Sequence, residues 1–155
     1  MRIREGDPLE IYTDKDGEVI FKKYSMLNGL NEFAHQICET VHKTVQQPVL
    51  ITDRDSIIAL SGLARRDWIE KPISSALETI LESRQRYQHQ AGDVPFLVTE
   101  SKSGLFVSFV APIVAQGDVL GCILLADTEG TWVPNETDQT LLETISDFLG
   151  RHMEG

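Results

Sequence analysis

Cys38 and Cys122 are the two cysteines of the chain and its most reactive side chains. A thiol works as nucleophile, redox centre or metal ligand through its thiolate, beside a second thiol, a base or a metal. Each of these two falls inside an apolar pattern, with no Cys-x-x-Cys spacing. That placement reads as reduced, buried packing in a cytosolic protein. The histidines are His35, His42, His89 and His152. His35 and His42 lie seven apart in a helical stretch, so both could face one side. No Cys-x-x-Cys or His-x-x-x-His motif accompanies them, and no metal site is predicted. Asp53 and Asp55 could pair as carboxylates, but their position between two apolar runs predicts an Asx-type turn. The hydroxyls of Ser61-Gly62 and Ser101-Lys102-Ser103-Gly104 sit in ordinary loop composition, without a base and an orienting third group. Gly117 and Gly121 lack the spacing and the following Lys-Ser/Thr of a phosphate loop. These residues predict neither catalysis nor a bound cofactor.

Twenty-four acidic residues against 14 basic ones give a formal net charge of -10 over 155 residues. DNA affinity is built on Lys and Arg beside phosphates, so the chain as a whole does not read as a nucleic-acid binder, nor as a binder of anionic membranes. Hydrophobic residues make up 41% and charged ones 25%, enough to bury a core without covalent staples. No apolar run approaches the roughly 18 residues that span a bilayer, and no basic-then-apolar leader opens the chain. The expected compartment is the cytoplasm.

The elements follow from hydrophobic period. Leu9, Ile11, Val19 and Phe21 alternate with polar residues around Asp14-Lys15-Asp16-Gly17, predicting a hairpin over 7–24. The period then changes to helical over 26–46, with Leu27, Leu30, Phe33, Ala34, Ile37, Cys38, Val41 and Val45 apolar. Strands are predicted over 48–52 and 57–60 around the Asp53–Ser56 turn. An irregular stretch, 63–72, follows. A helix is expected over 74–87, with Ser75 and Glu78 at capping-box spacing. Strands over 95–99, 105–114 and 119–127 come next, the last two joined at Gln116-Gly117-Asp118. A terminal helix begins near Asn135, after Pro134, with Leu141, Leu142, Ile145, Phe148, Leu149 and Met153 apolar. Consecutive short strands with tight turns imply an α+β fold, an antiparallel sheet flanked by helices.

Residues 2–24, RIREGDPLEIYTDKDGEVIFKKY, resemble the second half of the AbrB-type swapped-hairpin domain. The matches are Gly6, Asp7, Leu9, Glu10, Ile11, Gly17, Glu18, Val19, Phe21, Lys22, Lys23 and Tyr24. From Leu27 on, the chain is similar to the C-terminal GAF domain of the stage V sporulation protein T family. VLITDRDSIIALSG, the Asp-Trp-Ile-x-Lys-x-Ile-Ser segment, VAPIVAQGDVLGCILL and ETISDFLGRHMEG carry that likeness. The resemblance implies two units, a hairpin over 1–24 and a GAF-like domain over 25–155. It also implies a DNA-binding regulator of late, forespore-stage sporulation genes. The family's Arg-containing first strand, Gly-Arg-Val turn, Val-Ile-Pro segment and Arg-rich helix have no counterpart in this chain. The expectation is therefore a chain shortened at its N-terminus, by design, proteolysis or a late start. Of the family's basic DNA surface, Arg2 and Arg4 are the residues expected to remain.

For the GAF-like domain the resemblance implies a ligand pocket between the sheet and segment 62–72 with the loop after the second helix. Trp68, Phe106, Ser108 and Phe109 are its expected lining, and the ligand is an unidentified small molecule. The two long helices carry more apolar surface than one sheet face needs, so they are expected to pair with a second copy. Leu27, Leu30, Ile37, Leu142, Ile145 and Leu149 are the expected interface of that homodimer or tetramer. The alternative function is a stand-alone small-molecule sensor. Some GAF proteins reduce free methionine sulfoxide, but that chemistry needs a reactive thiolate and a resolving partner, which Cys38 and Cys122 do not offer.

Overall fold

The computed structural model describes residues 11–13, 19–21 and 31–154. Arg2, Arg4, Leu27 and Leu30, and with them the N-terminal part of the expected 26–46 helix, lie outside the described residues. Strands β1 (Ile11–Thr13) and β2 (Val19–Phe21) pair antiparallel, with Ile11 opposite Phe21 and Thr13 opposite Val19.

Helix α1 (Asn31–Val45) leads into β3 (Val49–Asp53) and β4 (Ile57–Ser61). The turn between these strands forms as its Asp residues predict: Asp53 Oδ1 accepts from the N–H groups of Asp55 at 2.7 Å and Ser56 at 2.8 Å. The stretch read as irregular contains one helical turn, α2 (Arg65–Trp68). Helix α3 (Ser75–Ser83) is shorter than expected, and its cap is Ser74, not Ser75. The Ser74 hydroxyl accepts from Leu77 N–H at 3.1 Å, and Arg84 ends the helix at φ 60°. Two-residue strand β5 (Tyr87–Gln88) then lies where a helix end was expected. The predicted 95–99 strand reduces to a single bridge, Leu97 with Phe106. Strands β6 (Phe106–Ala115) and β7 (Asp118–Asp127) form the expected hairpin. Its turn places Gln116 and Gly117 at positive φ, 54° and 85°, which matches the twist of the paired strands. Helix α4 (Glu136–Glu154) is capped by Asn135, whose Oδ1 accepts from Asp138 N–H at 2.7 Å.

The sheet runs β4-β3-β7-β6-β5, antiparallel throughout, and it does not close. Alternation sorts its side chains onto two faces. Val49, Ile51, Phe109, Ala111, Ile113, Ile123 and Leu125 face α1 and α4, where Ala34, Cys38, Val41, Leu142 and Leu149 complete one core. Leu50, Val107, Val110, Cys122, Leu124 and Ala126 face Trp68 of α2, Leu77 and Leu81 of α3, and Val98 and Leu105 in a second core. Ser108 is an extra residue between Val107 and Phe109, a bulge that resets this alternation.

α4 lies directly on the sheet backbone. A Cβ built on Gly150 would overlap the Val114 carbonyl oxygen, well inside their van der Waals contact distance. The chain entering α4 is fixed by Asp127, whose carboxylate accepts from the N–H groups of Thr131 and Trp132, each at 2.9 Å. Burial pushes that carboxyl up. The N–H donors of Trp132, Thr131, Glu129 and Gly130 outweigh it and hold the group below the usual carboxylate range.

Candidate functional site

The apolar positions of α4 divide into two stripes. Leu142 and Leu149, seven apart, are 0% and 2% exposed and belong to the chain's own core. They are unavailable to a partner, which corrects the expectation that placed them at the interface. Leu141, Ile145 and Phe148, spaced four and three, form the neighbouring stripe, and Phe148 is 50% exposed. Ile37 and Ile145, also expected at the interface, do lie together on this outer face.

Between α1 and α4 runs a groove of about 300 Å³. Phe33, Gln36, Ile37, Thr40, Val41 and Thr44 line it from α1; Leu141, Ile145 and Phe148 line it from α4. None of the nine is charged. At one end Phe33, near the start of α1, meets Phe148 and His152, near the end of α4. The ring centroids are 6.3 Å apart for Phe33 and Phe148, 5.9 Å for Phe33 and His152, and 6.0 Å for Phe148 and His152. Ion pairs outside the groove's lining include Arg86 with Glu143 and Arg151 with Asp147. Phe33, Leu141 and Phe148 line this groove but are not among the residues expected to meet a second copy. Their signal was present in the four-three spacing of α4, but spacing alone does not tell which of two adjacent stripes meets the sheet.

The four residues expected around a ligand pocket are not gathered around one cavity. Trp68 is buried in the core beneath α2 and α3, while Phe109 is buried in the core beneath α1 and α4, on the opposite face. Phe106 bridges to Leu97 at the start of β6. Ser108 is 2% exposed, and its carbonyl accepts from His89 N–H at 2.9 Å. The ammonium of Lys102 stands 5.1 Å from the Trp68 ring centroid, over its face. No sequence motif marks one further buried polar group. His89 is 3% exposed, and its Nδ1 has no hydrogen-bond partner among the described residues.

The thiols are built for packing. Burial pushes the Cys122 thiol up to about 12, against a smaller opposing effect from the Thr52 hydroxyl 3.3 Å away. Burial, followed by the Glu39 carboxylate, raises Cys38 further, against a smaller lowering by Arg65. The two sit in different cores on opposite faces of the sheet, so neither can resolve a sulfenate on the other. Among the described residues no group of three or more His, Cys, Asp and Glu is placed to hold a metal ion. No described helix is long and apolar enough to cross a membrane.

Residues 29–154 match the family described as stage V sporulation protein T C-terminal, transcription factor. The chain belongs to this family. Across 154 residues it is 38% identical to stage V sporulation protein T of Bacillus subtilis (strain 168), covering 99% of this chain and 85% of that protein. It is a regulatory domain of the stage V sporulation protein T type. Solved structures show the same fold at low identity. The GAF domain of an Acinetobacter phosphoenolpyruvate-protein phosphotransferase aligns at a TM-score of 0.62 and 10% identity, over 85% of this chain and 84% of that one. The cofactor-binding GAF domain of the nutrient sensor CodY from Clostridium difficile aligns at 0.53 and 14%, over 77% and 83%. A type II free methionine-R-sulfoxide reductase from Thermoplasma acidophilum aligns at 0.57 and 14%, over 80% and 94%. The fold is therefore GAF-like.

Proposed function

We propose that the chain regulates transcription of late, forespore-stage sporulation genes in the bacterial cytoplasm. In this reading residues 25–155 are a GAF-like sensory and dimerisation domain. Residues 1–24 are the second half of an AbrB-type swapped hairpin, with Arg2 and Arg4 on its DNA side. The observation that carries the reading is the 38% identity to stage V sporulation protein T over 99% of the chain. The uncharged α1–α4 groove supports pairing with a second copy, with Ile37, Leu141, Ile145 and Phe148 as its contact residues. The acidic body, at a net charge of -10, supplies few cations to displace counterions, so the partner DNA must be gripped elsewhere than on this domain. Deleting the gene in a spore-forming host and measuring late sporulation transcripts tests the reading. The wild-type gene restores them and an Ile145→Glu version does not. Unchanged transcripts in the deletion strain would refute it.

A second reading, a small-molecule sensor, is favoured by one observation, the buried Nδ1 of His89, which has no partner among the described residues. A buried polar atom without a partner costs about 1–3 kcal/mol, which a ligand or an ordered water would recover. A ligand at 100 times its dissociation constant stabilises the fold by about 2.7 kcal/mol. A thermal-shift panel of nucleotides and amino acids detects that gain, and a uniformly flat panel argues for a purely structural domain.

A further inference from the structure

We propose that Glu100–Gly104 is a lid over the second core, latched by Lys102 on the Trp68 ring and by Glu100 on Ser75, with Gly104 as a hinge. The proposal goes beyond the sensory reading, because the movement needs no ligand. It gives a small molecule the route into the core that a sensor requires.

The ends of the segment are fixed and lie together. Leu97 bridges to Phe106, and Val98 N–H donates to the Leu105 carbonyl at 3.0 Å. The Val98 carbonyl accepts at 2.8 Å from the N–H of Ser74, the residue that caps α3. Val98, Thr99 and Leu105 are all 0% exposed. A loop whose ends are held close can move as a unit without disturbing the elements it joins. Between these ends the chain adds no side chain to either core: Glu100, Ser101, Ser103 and Gly104 are exposed, and Lys102 is half-buried. Lifting the segment gives up no apolar core contact of its own, which puts it at the low-stability end of the fold.

Two contacts tie it to the elements beneath, and both are polar. The Lys102 ammonium stands 5.1 Å from the Trp68 ring centroid, and the Ser75 hydroxyl donates to Glu100 Oε2 at 2.9 Å. Lys102 enters none of the ion pairs among the described residues, although acidic residues outnumber basic ones 24 to 14. It rests on the ring instead of on a carboxylate. Trp68 belongs to the second core and is 7% exposed, so raising Lys102 bares a large face of that core. Both ends of the segment are built to turn. Gly104 lies at φ 97°, and a Cβ there would meet nothing within 4 Å. Its backbone conformation, not crowding, is what calls for glycine. At the other end Thr99 Oγ1 accepts from Ser101 N–H at 3.2 Å and shares a hydrogen bond with Ser101 Oγ at 2.9 Å, bonds made within the turn itself.

Solvent access to Trp68 tests the lid. In a Trp132→Phe chain Trp68 is the remaining tryptophan, and acrylamide quenching reads its exposure. Lys102→Met removes one latch and keeps the length of the side chain. Quenching should rise about two- to five-fold, the worth of an exposed cation–π contact. Gly104→Ala leaves both latches and the ring in place but strains the closed backbone, and should raise quenching about five-fold or more. In both variants hydrogen exchange at Val98 N–H, in the base of the lid, stays as slow as in wild type. Should Trp132→Phe fail to fold, fluorine NMR of a chain labelled with 5-fluorotryptophan reads the same exposure from the shift of each ring between water and heavy water. A rise with Lys102→Met alone overturns the lid, since Lys102 then only shields the ring. No rise in either variant overturns it too. Faster exchange at Val98 N–H overturns the hinge, because the base then melts with the segment.

Discussion

Replacing Gly150 by Ala sets two effects of opposite sign against each other. In a solvent-exposed helix interior the change would stabilise, since Gly is about 1 kcal/mol less favourable than Ala. Gly150 is instead buried against the backbone of β6. The added methyl overlaps the Val114 carbonyl oxygen, with the Val114 carbonyl carbon at 3.3 Å and its nitrogen at 3.6 Å. A flexible side chain could turn away, but a main-chain carbonyl held within β6 cannot, so α4 must lift. Overpacking of this kind costs about 1–3 kcal/mol, and contact with main chain places the cost near the upper end. The net expectation is a loss of about 2 kcal/mol after subtracting the propensity gain of about 1 kcal/mol. Urea denaturation measures it, at one fixed protein concentration because association adds to apparent stability. The midpoint falls while the m-value stays. Thr140→Ala, at an exposed position on the same helix, serves as the control and is neutral or slightly stabilising. A Gly150→Ala chain as stable as wild type, or more so, would refute the close approach of α4 to β6 on which the groove's geometry depends.

The two stripes of α4 should respond differently to truncation. Leu142→Ala, which empties a fully buried position, costs about 2–5 kcal/mol of folding stability, whereas Ile145→Ala chiefly weakens association; denaturation and sedimentation together separate them. Asp127 should contribute acid sensitivity. Its carboxyl is held below its unfolded value, so its stabilisation is complete above about pH 4 and is lost as pH falls through the lowered folded value. Asp127→Asn should therefore be less stable than wild type at pH 7, by about 1–3 kcal/mol, and the gap should close toward pH 2 in acid titrations of stability. Neither thiol should react with an aromatic disulfide reagent at pH 8 in the folded chain. Both should react in urea, because burial raises them well above that pH.

Much of the fold is legible in local chemistry. Asp53 announces its turn, Gln116-Gly117 its hairpin and Asn135 the start of α4, because in each case the residue that sets the geometry also satisfies it. Strand β5 escapes because two residues give no period to read, and it exists through its pairing with β6. Val98 looks like part of a strand because it is apolar and buried, yet its N–H donates to the Leu105 carbonyl across a loop and extends no ladder. Ser75 has the right spacing for a capping box, but Ser74 is the residue whose backbone is extended and whose hydroxyl meets Leu77 N–H. At the candidate site, periodicity finds the apolar residues of α4 and misassigns the stripes. Which stripe meets the sheet is fixed by the approach of Gly150 to Val114, a tertiary contact that no local pattern encodes. The pocket residues fail for a similar reason. The bulge at Ser108 resets alternation along β6, so Phe109 points to the opposite face from Trp68.

The central claim, a regulatory domain that pairs through its α1–α4 face, is tested most directly by the mass of the chain in solution. Light scattering after size exclusion at micromolar concentration should give twice 17.4 kDa or a multiple of it for wild type. It should give 17.4 kDa for an Ile145→Glu chain whose circular dichroism is unchanged. A wild-type mass of one chain, or an Ile145→Glu dimer as tight as wild type, would contradict the account.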